Sequence, residues 1–222
     1  MRSKNKRMIG SEKIAEKMAS LLLQIDAVKL NLQQPYTWSS GWKSPIYCDN
    51  RLTLSFPEIR TFIKESLTSL IREHYPDTEL LAGVATAGIA HGVLAADELG
   101  IPFCYVRSSA KGHGLGNKIE GLALPGQKVL VVEDLISTGG SSLAVVHALR
   151  EAGCSVSGLI AIFNYGFPVA EEHILQAGCT FYTLTDYATL VKEAYKKGTV
   201  GAGDLQTLEQ WRLSPSTWGM PQ

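Results

Sequence analysis

From Leu80 onward, short apolar runs alternate with amphipathic stretches, and this alternation limits the possible folds more than any other feature of the chain. Leu80–Val84, Pro102–Val106, Val129–Val132, Leu159–Phe163 and Phe181–Leu184 read as strands. They are short, and their neighbours carry helical spacing. Ile89–Leu99, closed by Gly100, Ser141–Ala152, closed by Gly153, and Val169–Gln176 read as the helices between them. Nearly continuous apolar strands alternating with helices predict an α/β fold in which a parallel sheet is covered on both faces by right-handed crossovers. In such sheets ligands bind beyond the carboxyl ends of the strands, so the chemistry is expected there.

Upstream, Ile14, Met18, Leu21, Leu22 and Ile25 lie on one helical stripe over residues 11–25, with Ser11 as the expected N-cap. Residues 36–52 mix aromatics, Ser, Gly and Pro, then alternate through Ile46–Cys48, which predicts a bent hairpin or loop. A second helix is expected from a Ser55 cap to about Glu73, with Pro57 just inside its start and Glu58 completing a capping box. Between Arg107 and Gly126 the alternation breaks. Glycines, Lys111, His113 and Lys118 dominate there, and a stretch so poor in apolar residues is expected to form a long mobile loop at the carboxyl edge. The end of the chain, from Asp204 with Trp211 and Trp218, reads as a docking helix and tail.

Lys and Arg together number 21, as do Asp and Glu, so the formal net charge is zero. A nucleic-acid partner usually demands a basic excess, and none exists here. The basic start, Met1–Arg7, is followed by polar and charged residues through Lys17, and Leu21–Leu23 is too short for a signal-peptide core. No stretch approaches the roughly 18 apolar residues of a membrane span. The four cysteines, Cys48, Cys104, Cys154 and Cys179, form no C-x-x-C pair, which favours free, mostly buried thiols. A cytoplasmic protein is expected, with no membrane and no nucleic-acid partner.

The stretch Lys128–Ser142, KVLVVEDLISTGGSS, carries the chemistry. An apolar strand ends in Glu133 and Asp134, and a turn of small residues from Leu135 to Ser142 opens a helix. Such a turn aims successive amides into one concavity, and the helix start adds partial positive charge, so a phosphate can be held without a lysine. Two carboxylates beside a phosphate would repel it unless they serve a diol or a magnesium ion. Together they indicate a phosphorylated sugar. A P-loop would need G-x-x-x-x-G-K-[ST], and no lysine stands in that place. A dinucleotide fingerprint would need G-x-G-x-x-G after a strand, whereas Gly112-x-Gly114-x-Gly116 has other spacing and lies in the polar segment.

Val131–Ser141 resembles the phosphoribosyl-pyrophosphate motif of type I phosphoribosyltransferases. Arg107–Gly114 resembles the catalytic loop of the orotate phosphoribosyltransferases, and Tyr36–Arg51 resembles the orotate-side segment of the same family. The match extends over nearly the whole chain. The resemblance implies a parallel-sheet type I phosphoribosyltransferase fold. In it, residues 1–52 form an N-terminal helix and small base-binding hood, 53–200 a core with the long mobile catalytic loop, and 201–222 a C-terminal helix and tail.

The resemblance also implies the reaction: 5-phosphoribosyl 1-pyrophosphate and orotate, with Mg2+, give orotidine 5′-monophosphate and pyrophosphate, a step in pyrimidine (UMP) biosynthesis. Glu133 and Asp134 would hold the ribose hydroxyls, with Asp134 close to the chemistry. Ile136, Ser137, Thr138, Gly139, Gly140 and Ser141 would wrap the 5-phosphate, Leu135 would also contact the activated sugar, and Ser137 would touch orotate. Arg107, Lys111 and His113 would bind pyrophosphate, with the loop reaching across a homodimer interface so that Lys111 and His113 complete the partner's site. Magnesium would arrive with the activated sugar rather than on defined protein ligands.

Three positions depart from the commoner family pattern. Ser108 replaces a basic residue, Ala87 a lysine, and Asn164-Tyr165 an arginine that grips the orotate carboxylate. Lys43, amides near Ser44–Tyr47, and Lys29 at the base of the site are the candidates left on the orotate side. Transfer to another base, or a regulator that only senses the sugar, are the alternatives. A panel of bases separates the first from orotate transfer, and binding without turnover identifies the second.

Overall fold

The computed structural model describes residues 9–107 and 118–219. Helix α1 (Glu12–Gln24) buries Ala15, Met18, Ala19 and Leu22. Ser11 precedes it but makes no side-chain cap bond, and its contribution is the carbonyl that accepts from Ala15 N at 2.9 Å. The hood follows as two small antiparallel ribbons. In one, β1 (Val28–Leu30) pairs with β4 (Ile46–Cys48), and in the other β2 (Tyr36–Thr37) pairs with β3 (Lys43–Ser44). The expected bend over 36–52 is therefore a hairpin followed by a return strand, and a 3-10 turn, Asn50–Ser55, leads out of it.

Helix α2 (Pro57–His74) begins later than expected. Phe56 holds the N-cap position with no side-chain bond, so the Ser55 capping box does not form. Ser55 is instead the last residue of the 3-10 turn, where Phe56 N donates to Thr53 O at 3.2 Å. Pro57 opens the helix, where its fixed φ and missing amide cost nothing.

The main sheet has six strands among the described residues: β5 (Leu80–Val84), β6 (Phe103–Val106), β7 (Ile119–Glu120), β8 (Lys128–Ile136), β9 (Ser155–Asn164) and β10 (Phe181–Asp186). Their order is β10-β9-β8-β5-β6-β7, all parallel except β7, which runs antiparallel to β6. Helices α3 (Ala87–Leu99), α4 (Gly140–Glu151), α5 (Pro168–Gln176), α6 (Tyr187–Lys196) and α7 (Ala202–Leu213) complete the chain. Alternate strand residues serve opposite layers. Leu81, Leu130, Val132 and Ile160 join one core cluster with α1, α2, α3, α6 and α7, while Leu80, Val129, Val131 and Leu159 join another with α4 and α5. Each such fully buried aliphatic side chain stabilises the fold by roughly 1.5–3 kcal/mol.

Two corrections bear on the site. The apolar run at Val129–Val132 is only the middle of a longer strand, because β9 continues beside it and pairs Glu133 with Ala161, Leu135 with Phe163 and Ile136 with Asn164. Glu133 and Asp134 thus lie within β8, and the turn shrinks to Ser137–Gly139. The segment expected to be one loop from Arg107 to Gly126 is interrupted by β7, which the free edge of β6 recruits through Tyr105 and Val106. The four cysteines are free thiols.

Candidate active site

The parallel strands β8 and β9 both end at one edge, and the hood stands over that edge. An aromatic cluster fixes the distance between them. Trp38 meets Tyr165 at 5.0 Å between ring centroids and Trp211 edge-on at 5.7 Å, while Tyr165 stacks on Phe167 at 5.5 Å. The indole nitrogens are satisfied by main chain: Trp38 Nε1 donates to Ile46 O at 3.2 Å and Trp211 Nε1 to Lys43 O at 3.1 Å. Between hood and sheet edge lies a cleft of about 560 Å³. Thr37, Trp38, Ser39, Ser40, Trp42, Tyr47 and Cys48 line it from the hood, and Leu135, Ser137, Thr138 and Tyr165 from the sheet.

The turn at the foot of this cleft suits an anion. Gly139 takes φ +82°, a left-handed conformation that an L side chain would strain, and Gly140 starts α4. The first amide of the segment to donate to main chain is Leu143 N, to Gly139 O at 2.9 Å. Among the described residues, the amides of Thr138 to Ser142 therefore have no backbone acceptor, and they stand where the helix dipole favours negative charge.

Glu133 is buried directly behind the turn. Its Oε2 accepts the hydroxyls of Ser141 at 3.1 Å and Ser142 at 3.2 Å, and its Oε1 accepts Asp134 N at 3.2 Å. The Ser141 hydroxyl, expected on the phosphate, is here directed to Glu133. Burial, and after it the Asp134 charge, push the Glu133 carboxyl up to about 8. Burial also raises Asp134. Two carboxyls this close, one of them buried, are most stable sharing one proton.

A pH dependence follows. The Glu133 value is raised from 4.5 on folding, so the folded chain binds this proton more tightly than the unfolded chain does. Its contribution to stability is fully present below about pH 4.5 and is lost as pH rises through about 8. Glu133→Gln is expected to flatten the fall in melting temperature of the ligand-free protein between pH 5 and pH 9, as read by thermal melts. Parallel curves for the two proteins would contradict it.

The structure gathers some sequence-predicted residues and leaves others apart. Leu135, Ser137 and Thr138 line the cleft with Tyr47, while Ile136 is buried below it. Lys43 is exposed, and its Nζ donates to the cleft residue Thr37 at Oγ1, 2.8 Å. Lys29 is exposed on β1 opposite Tyr47 and is not among the cleft-lining residues. Arg107, at the end of β6, donates to Glu120 Oε1 at 3.2 Å. Lys111 and His113 lie outside the described residues. Where the commoner pattern has arginine, Asn164 Oδ1 accepts Gly166 N at 2.8 Å and Tyr165 forms part of the cleft wall. Sequence reasoning missed the wall formed by Trp38, Thr37, Ser39 and Ser40, although all four fall in the Tyr36–Arg51 segment. It also missed Asn50, whose Nδ2 donates to Asp134 O at 2.8 Å. Among the described residues no group of three or more His, Cys, Asp or Glu side chains is placed to hold a metal ion.

The phosphoribosyl transferase domain family matches residues 54–181. The orotate phosphoribosyltransferase of Bacillus caldolyticus is 55% identical over 202 residues, 91% of this chain and 98% of that protein. Its counterpart in Bacillus cytotoxicus is 54% identical over 201 residues, 90% of this chain and 96% of that protein. The crystal structure of orotate phosphoribosyltransferase from Aeropyrum pernix superposes with a TM-score of 0.72 at 28% identity, covering 83% of this chain and 99% of that one.

Proposed function

Because this chain belongs to the orotate phosphoribosyltransferase family, we propose that it transfers the 5-phosphoribosyl group of 5-phosphoribosyl 1-pyrophosphate to orotate, releasing pyrophosphate and forming orotidine 5′-monophosphate. The observation that carries this reading is the buried Glu133, with the half-buried Asp134 next to it, set beside a turn whose amides have no backbone acceptor, at the foot of an aromatic-walled cleft. The turn amides from Thr138 to Ser141 take the 5-phosphate, and the acidic pair takes the ribose hydroxyls. Hydroxyl donation stabilises the ionised carboxylates, so sugar binding releases the shared proton. The planar base enters the cleft between Tyr47 and Tyr165, with Ser137 at its edge and Lys43, held to the cleft residue Thr37, as the cation for its carboxylate.

The reaction breaks the bond between C1 of the ribose and pyrophosphate and forms one from C1 to a ring nitrogen of orotate. Positive charge gathers on the sugar as negative charge gathers on the leaving group. Asp134 stabilises the first, and Arg107, Lys111 and His113 stabilise the second. When bound with the activated sugar, magnesium would supply further charge neutralisation on the pyrophosphate side, beside Arg107, Lys111 and His113.

The enzyme works as a cytoplasmic homodimer in which the Lys111 and His113 segment serves the partner's site. No helix among the described residues is long and apolar enough to cross a membrane. Incubation with the activated sugar, magnesium and orotate is expected to consume orotate, followed by its ultraviolet absorbance. Turnover of other bases in its place would reassign the substrate. Mixed Lys111→Ala and Asp134→Asn chains are expected to regain activity that each lacks alone. Failure to do so would contradict the shared site.

A further inference from the structure

We propose that Asn50 is a positioning residue for this reaction, standing in for a missing neighbour strand at Asp134 and so fixing where the acidic pair presents its carboxylates. The inference rests on the proposed role of that pair. Its physical origin is a mismatch in strand length. Strand β5 ends at Val84, and its last registered pair with β8 is Gly83 with Val132. Strand β8 runs on to Ile136, so beyond Val132 its flank toward β5 has no strand beside it.

At Asp134 the main chain takes side-chain partners instead. Its amide donates to Glu133 Oε1 at 3.2 Å, and its carbonyl accepts Asn50 Nδ2 at 2.8 Å. The bond is part-buried, and a carbonyl shielded from water and left without a donor is costly, so this bond holds Asp134 against the pull of neighbouring groups.

Asn50 is itself anchored. It is fully buried, its Oδ1 accepts the Cys48 thiol at 3.3 Å, and its carbonyl accepts the Thr53 hydroxyl at 2.5 Å. That hydroxyl has one proton and donates it to Asn50, so in its 3.3 Å contact with His91 the imidazole Nε2 is the donor. His91 sits on α3 at 1% exposure, and burial pulls it down to about 4, so the imidazole is neutral over the working range. A continuous line of contacts therefore runs from α3, through Thr53 and Asn50, to the main chain of Asp134. The line couples the hood's exit to the sugar-binding edge and touches none of the cleft's base-facing residues except Cys48.

The test uses two variants of the full chain. Asn50→Leu removes the amide at similar size and without adding charge, and Thr53→Val removes the hydroxyl that holds Asn50 while leaving its side chain intact. Asn50→Leu is expected to weaken ribose 5-phosphate binding, read by calorimetry, by about tenfold or more, the scale of one lost buried hydrogen bond. It is also expected to raise KM for the activated sugar similarly while KM for orotate stays within about twofold. Thr53→Val should move the same quantities in the same direction by about threefold. Sugar affinity unchanged in folded variants, or KM values for sugar and orotate rising together as general loosening would produce, overturns the proposal. If Asn50→Leu does not fold, Thr53→Val decides on the same criterion. Failure of the underlying reading is separate, since the unmodified protein would then neither bind ribose 5-phosphate nor consume orotate.

Discussion

Asp134→Asn is expected to lower kcat/KM for orotate transfer by about a thousandfold while leaving the melting temperature unchanged or raised. The substitution keeps the size of the side chain and removes one thing, a negative charge beside the sugar carbon that becomes cation-like. It also replaces one of the two carboxylate oxygens that accept sugar hydroxyls with an NH2 group that can only donate. A thousandfold loss is the scale set by removing one preorganised electrostatic contact from a dry site, about 4 kcal/mol. Stability moves the other way because the native chain sets the half-buried Asp134 carboxyl beside the buried one of Glu133. The Asp134 charge helps push Glu133 up to about 8, so an asparagine there should also bring the Glu133 carboxyl down. Steady-state rates with thermal melts on the same preparations check both halves. Activity within tenfold of the unmodified enzyme would remove Asp134 from the chemistry.

Gly88→Ala is expected to be the most damaging single-methyl change near the site. Helix α3 crosses β8 so closely that a Cβ at position 88 would stand 2.4 Å from Val132 O and 3.3 Å from Glu133 Cα. Both are main-chain atoms in a paired strand and have no rotamer by which to move aside, so α3 must lift from the sheet. Overpacking of this kind costs about 3 kcal/mol. For a chain of this size that is a fall in melting temperature of about 6–12 °C. The strand that receives the thrust carries Glu133 and Asp134, so KM for the activated sugar should rise as well. Gly92→Ala is the control, because its Cβ would meet the ring of Phe103 at 2.6 Å, and a side chain can swing away. Equal effects from the two substitutions would mean that the close approach to β8 is not what demands glycine at position 88.

The fold was legible wherever burial alone decides structure. The strands from Leu80 to Leu184 are apolar because both faces of a parallel sheet are covered, and the helices between them carry ordinary stripes. Legibility failed where a partner distant in sequence decides. Ile119–Glu120 is a strand only because β6 offers a free edge, and Val28–Leu30 only because Ile46–Cys48 lies opposite. Glu133 and Asp134 looked like the residues after a strand because charge is rare inside one, yet β9 keeps pairing alongside them. Helix α6, with Tyr187, Leu190 and Ala194 buried, lay beyond the strand–helix units that the motifs drew attention to.

The site divides in the same way. The acidic pair and the glycine turn form one continuous stretch whose chemistry can be deduced from residue types alone. The aromatic wall needs Trp38, Tyr165 and Trp211 brought together from three parts of the chain. Asn50 bonds a residue 84 positions away, and in sequence it is one polar residue among several before a proline.

A crystal structure of the protein with 5-phosphoribosyl 1-pyrophosphate and magnesium tests the central claim most directly. The account predicts the 5-phosphate within hydrogen-bonding distance of the amides of Thr138 to Ser141, and the ribose hydroxyls on the carboxylates of Glu133 and Asp134. A phosphate bound elsewhere, or a diol facing away from those two side chains while Glu133 keeps its bonds to Ser141 and Ser142, would contradict it.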